Sequence, residues 1–84
     1  MEKNVIVTVT TRKNWAGDKY LLFSTRGGGD IAEVDFYPDH FRVYGYKTNG
    51  YLKRKTKAGA VSLAKRQCRV FLDAIGEKRE IVFV

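Results

Sequence analysis

The chain is poor in residues that tie small domains together by covalent or metal links. Its 84 residues include one cysteine, Cys68, one histidine, His40, one proline, Pro38, one methionine and one tryptophan, Trp15. A single cysteine excludes an internal disulfide. One histidine and one cysteine, far apart in sequence, supply no zinc-type ligand set, so no metal and no cofactor is expected. No apolar run approaches the roughly 18 residues of a membrane-spanning helix, and no membrane contact is expected. The segment Met1-Glu2-Lys3-Asn4 has no apolar stretch of the kind that opens an export signal. With the lone thiol, that leads to the expectation of a reducing cytoplasm.

The other shortage is of acidic groups. Residues 47–69 contain none, yet carry Lys47, Lys53, Arg54, Lys55, Lys57, Lys65, Arg66 and Arg69. Residues 1–46 are neutral, so the net charge of +7 belongs to the C-terminal half. A one-sided charge interleaved with apolar residues is what a polyanion site requires, and nucleic acid is the first polyanion to consider. Hydrophobic content of 44%, with five Tyr, five Phe and one Trp, argues for a folded domain rather than a basic tail. The length fits one domain, residues 1–84, with a modest core.

Asn-Val-Ile-Val-Thr-Val-Thr-Thr at 4–11 is almost wholly β-branched and alternates as a strand does. A turn at 14–18 follows, with Trp15 either packed as a lid or exposed, then a second strand at 20–25. Gly27-Gly28-Gly29-Asp30 predicts a hairpin turn; a phosphate cradle would need a helix immediately after it. Residues 31–37 alternate Ile31, Glu33 and Asp35 against Ala32, Val34 and Phe36, and a turn at Pro38-Asp39-His40 leads to a strand at 41–46. A short helix at 51–58, capped by Thr48 or Asn49 and stopped by Gly59, is the next expectation. After Gly59 two readings coexist. Ala60, Ala64, Cys68, Phe71 and Ile75 fit one helical face, whereas Val61 with Leu63 and Val70 with Leu72 fit two strands joined near Arg66-Gln67. Residues 80–84 are β-like. The fold class is therefore α+β, a small, largely antiparallel sheet of five or six strands with one or two short helices.

Lys19-Tyr20-Leu21-Leu22, Val34-Asp35-Phe36 and the run Phe41-Arg42-Val43-Tyr44-Gly45-Tyr46-Lys47 carry a resemblance, as do Leu52-Lys53-Arg54-Lys55-Thr56, Gly59, Ala64-Lys65 and Val70-Phe71-Leu72-Asp73. Over about two-thirds of the chain this pattern resembles the C-terminal, DNA-binding "double wing" domain of MotA, the middle-promoter activator of T-even phages. The resemblance implies a saddle-shaped sheet that lays its strands on DNA. It favours two strands over 60–74, with Gly59 ending a helix and residues 65–69 forming a wing tip. It also implies phage origin, hence a host-cell cytoplasm, and a link to transcription regulation. The sigma-engaging domain of that family has no counterpart here, nor has the helix before its first strand, so activation of transcription is not carried over.

The candidate DNA-contacting residues are Arg42, Lys47, Lys53, Arg54, Lys55, Lys57, Lys65, Arg66 and Arg69. Duplex DNA is the favoured partner, with single-stranded DNA or RNA as options because Tyr44 and Tyr46 share a strand face with Arg42 and can stack on bases. The alternative is a phage protein-interaction module that covers an acidic host protein, in host takeover or counter-defence. Catalysis is not expected. His40 lacks partners, Cys68 lacks an activating histidine nearby in sequence, and the acidic stretch of Asp30, Glu33, Asp35 and Asp39 reads as a solubilising outer face.

Overall fold

The computed structural model describes residues 3–27 and 29–84. The elements are β1 (Asn4–Lys13), β2 (Lys19–Thr25), β3 (Gly29–Phe36), β4 (Phe41–Gly45), β5 (Leu52–Arg54), α1 (Lys57–Ala74) and β6 (Glu80–Phe83). They form one mixed sheet in the order β5-β4-β3-β2-β1-β6, curled into a half-barrel around the helix. Every pairing is antiparallel except that of β6 with β1. The α+β class and the six-stranded sheet are as the sequence leads one to expect.

Alternation decides which sheet face is covered. Val5 and Val7, Leu21 and Phe23, Ala32 and Val34, and Val43 are buried in one core with the helix residues. Phe23, Val7, Val34 and Val43 are fully enclosed, each worth roughly 1.5–3 kcal/mol of apolar burial. Phe23 meets Phe83 of β6 edge to face at 6.2 Å, and Phe36 meets Phe41 at 5.2 Å. The helix contributes Ala60, Leu63, Ala64, Gln67, Cys68 and Leu72. Its small residues keep it close to the strands.

Three local expectations are corrected. Residues 60–74 are a single helix, so there is no hairpin at 65–69 and no wing tip there. The expected helix at 51–58 is replaced by β5, which pairs with β4 through Phe41↔Arg54, Arg42↔Lys53 and Val43↔Leu52. The N-cap is Thr56, whose hydroxyl accepts from the Gly59 amide at 3.0 Å, so Gly59 sits in the first helical turn and ends nothing. Thr48 instead fastens the β4–β5 turn, accepting from the Gly45 amide at 3.1 Å. Of the glycine run after β2, Gly28 lies outside the described residues, as do Met1 and Glu2 of the N-terminal segment. Gly27 and Gly29 have φ of 73° and 84°, and the run leads into a strand, which makes it a hairpin turn and not a phosphate cradle.

Gly45 is where helix and sheet come closest. A Cβ there would stand 2.7 Å from the Cβ of Gln67, an atom fixed by the helix backbone. Gln67 is buried, and its Oε1 accepts from the Lys47 amide at 3.4 Å. Gly45→Ala is therefore expected to destabilise the fold by about 1–3 kcal/mol through overpacking. The check is the urea midpoint, and a midpoint equal to wild type would show that the helix can lift off β4 freely.

Candidate nucleic-acid interface

Antiparallel pairing brings distant parts of the chain to one end of the sheet. The end of β1, the start of β2, the end of β3, the start of β4 and the end of β5 lie together there, and α1 begins beside them. Lys53, Arg54, Lys55 and Lys57 gather at this end, at the sheet edge and around the helix N-terminus. Among the described residues none of the four has an ion pair. Arg54 donates to the Lys53 carbonyl at 2.6 Å, and the Lys57 ammonium lies 5.5 Å from the Phe36 ring centre.

The helix makes this corner more positive. A helix N-terminus carries about half a positive charge, which acidic side chains ordinarily offset. The first turn of α1 has no acidic residue, and it begins on Lys57. Four cations and the dipole therefore outweigh the one carboxylate beside them, Asp39, which interacts with Lys53 and is hydrogen-bonded to His40. An anion from outside would offset that excess.

The other candidates do not share this place. Lys47 lies in the β4–β5 turn at the opposite end of the sheet, with its ammonium 5.7 Å from the Tyr46 ring centre. Lys65 and Arg66 are exposed on the outer side of the helix, Lys65 lying 5.0 Å from the Phe83 ring centre. Arg69 is diverted to structure. Its guanidinium donates to Asp73 Oδ1 at 3.0 Å, to the Arg79 carbonyl at 2.7 Å and to the Glu77 carbonyl, clamping the segment between α1 and β6. Arg42 is held between the rings of Tyr37 and Tyr51, 4.3 and 4.2 Å from their centres. Its Nε donates to His40 Nε2 at 3.2 Å. That fixes the His40 proton on Nδ1, which donates to Asp39 Oδ1 at 2.6 Å. Both imidazole nitrogens are occupied.

The face away from the helix is open. Across it, Lys53, Arg42, Asp35, Tyr20 and Arg12 form one cross-strand row, and Tyr44, Glu33, Leu22 and Thr10 the next. A cavity of about 280 Å³ lies beside the first row, lined by Asn14, Asp18, Tyr20, Glu33, Asp35 and Tyr37 among others. Among the described residues no cluster of three or more His, Cys, Asp or Glu is placed to hold a metal. Cys68 is fully buried, and burial pushes its thiol up to about 12, so it carries no thiolate at neutral pH.

Two features lie outside the expected site set. Lys13 faces Lys19 directly in the β1–β2 register, and Trp15 at the hairpin tip is 99% exposed. The visible signal was a turn that placed an indole among Arg12, Lys13 and Lys19. No family model, no curated protein and no solved structure matches the chain. The site is defined by its own geometry.

The carboxyl of Glu33 is pushed up from 4.5 to about 7 by hydrogen bonding with Asp35, by burial, and by the charges of Asp35 and Asp30. Asp35 Oδ1 is buried without a hydrogen-bond partner among the described residues, in keeping with a proton shared between the two carboxyls. The folded chain thus keeps a proton that the unfolded chain releases above 4.5. The stability this contributes is complete below 4.5 and is lost as pH rises through about 7. Urea midpoints should fall between about pH 5 and pH 8 in the wild type and stay level in Glu33→Gln. Parallel profiles for the two proteins would remove Glu33 as the cause.

Proposed function

We propose that the chain is a non-catalytic DNA-binding domain that grips backbone phosphates with the basic end of its sheet. The observation that carries this reading is the corner of Lys53, Arg54, Lys55 and Lys57 around the start of α1. Among the described residues these cations form no ion pair, the first helical turn has no acidic residue, and the one carboxylate lining the same hollow, Asp39, is hydrogen-bonded to His40. Such a corner lowers the stability of the free domain and favours an anion. Lysines at an edge strand read charge and not sequence, because an ammonium is a point donor with no fixed planar geometry. Arg66 and Lys65 extend the positive surface along the helix. Arg69 and Arg42 support the site from within, since their guanidinium groups are already committed to carbonyls and rings.

Labelled DNA followed by fluorescence anisotropy tests the proposal. A Kd of about 1 μM or tighter is expected at about 50 mM salt, weakening with a log–log slope of about −4 as about four phosphates are neutralised. Lys53→Ala with Lys55→Ala should make that slope shallower by about two, equally for any sequence. Arg69→Ala should instead lower the unfolding midpoint, because it removes the clamp after the helix. A salt-independent affinity, or a double variant that binds as the wild type does, would overturn the proposal.

A further inference from the structure

The indole of Trp15 is 99% exposed, although tryptophan is among the most extensively buried residue types on average. Its exposure is built into the fold. Asn14 Oδ1 accepts from the amides of Ala16 at 2.9 Å and Asp18 at 3.0 Å. The Asn14 amide donates to the Asp18 carbonyl at 2.9 Å, and the Gly17 amide donates to the Asn14 carbonyl at 3.0 Å. Gly17 takes a φ of 85°, which a residue with a Cβ rarely adopts. These bonds close the turn and leave the indole outside it, with both ring faces in water. The last residues of β1, Thr11, Arg12 and Lys13, are exposed as well, and the final rung, Lys13↔Lys19, lies beyond the β2–β3 pairing, which ends at Tyr20↔Asp35.

The hairpin tip is also charged in a way that works against its own pairing. Lys13 stands directly opposite Lys19 in the last rung of the ladder, and Arg12 lies one residue away. Like charges in facing positions destabilise a strand pair. Among the described residues none of the three has an ion pair. A free aromatic plane flanked by unpaired cations is the arrangement that binds a nucleotide: the ring stacks on the base and the cations meet its phosphates. A base in duplex DNA would first have to leave its own stack, at an expense of a few kcal/mol per step, whereas an unpaired base presents its face freely.

We propose that the β1–β2 hairpin tip is a stacking finger for an unpaired nucleotide: Trp15 takes the base, and Lys13 and Lys19 hold the adjoining phosphates. This rests on the DNA-binding reading and adds a preference for single-stranded segments to it. The tip and the basic corner share one end of the sheet, so one strand of nucleic acid can meet both.

Trp15 is the only tryptophan in the chain, so its emission reports on this tip alone. The full chain is titrated with a labelled single-stranded oligonucleotide of about 12 nucleotides and with a duplex of the same length, a size chosen to fall within known single-strand site sizes. Anisotropy and indole emission are read together. Quenching is expected to track single-strand binding with the same Kd. Trp15→Ala should weaken single-strand binding about tenfold, Trp15→Phe less, and duplex binding should change little. Binding of the strand without quenching, unchanged affinity in Trp15→Ala, or equal quenching by the duplex would each overturn the finger while leaving DNA binding intact. A blue shift with phosphatidylserine vesicles and no response to the strand would assign the tip to a lipid surface and overturn it too. If neither nucleic acid binds at low salt, the DNA-binding reading itself falls, and the finger with it.

Discussion

The close approach of α1 to β4 at Gly45 governs the rest of the molecule. One helix of 18 residues, about 27 Å long, must cover the apolar face of six strands. It lies over β3, β4 and β5, and the curl of the sheet brings Phe83 of β6 round to its other flank. Small residues at Ala60, Ala64 and Cys68 and the missing side chain at Gly45 let the helix sit low enough for Val34 and Val43 to lose all contact with water. A higher helix would leave a void under it, and a domain this small has little other core to offset one.

This placement has two consequences. The helix starts beside the edge strand, so its positive end is set among Lys53, Arg54, Lys55 and Lys57. It also leaves the tip of the β1–β2 hairpin, from the Lys13↔Lys19 rung onward, without a partner layer. The charges at the other end of the helix are treated differently. Asp73 in its last region is opposed to the dipole there, but Arg69 at 3.0 Å and Lys78 at 3.7 Å neutralise it. Glu77 pairs with Arg79 at 2.8 Å and is held down to about 2 by that guanidinium. Acidic and basic side chains are paired where the chain folds back to form β6, whereas at the opposite end Lys53, Arg54, Lys55 and Lys57 form no ion pair among the described residues, with Asp39 the carboxylate near Lys53. That contrast within one helix is what supports the proposal of an anion site at the basic corner.

Four strands were legible because alternation alone specifies them. Val5, Val7 and Val9, or Ala32, Val34 and Phe36, fit only a half-covered sheet. The helix was half legible. Ala60, Ala64 and Cys68 do line its buried face, but Val61 with Leu63 and Val70 with Leu72 spell period two just as clearly, and the double-wing resemblance favoured the strands. What separates the readings is tertiary: Gly45 on a distant strand makes room for the Gln67 Cβ, and nothing near residue 67 announces it. Ile75, which fits the helical stripe, is 64% exposed because the helix has already ended. β5 has three residues, too few to show a period, and Thr48 or Asn49 as a cap with Gly59 as a stop made 51–58 look like a short helix. The basic set was visible as composition, but its grouping was not. Arg42 and Arg69 look the same in sequence as Arg54 and Arg66, and only the neighbouring rings and carbonyls show that they are committed elsewhere.

The shared end of the sheet sets a further electrostatic condition. From Lys53 on β5 to Arg12 on β1 the open face crosses five strands, a span of about 19 Å at the usual strand spacing. Cations stand at both sides of that span, and Asp35 stands between them with Glu33 in the neighbouring row. Two full negative charges there would oppose any phosphate chain that followed the face from corner to finger. Glu33, pushed up to about 7 by Asp35, carries only part of its charge at neutral pH. A phosphate approaching the pair would push that carboxyl higher still and drive it towards the neutral form, because a nearby anion disfavours ionisation. On the proposed DNA-binding reading, one proton taken up by Glu33 would lower that opposition without any backbone movement. As pH rises through about 7 the Glu33 proton is lost, and the obstacle to a phosphate chain on this face would grow.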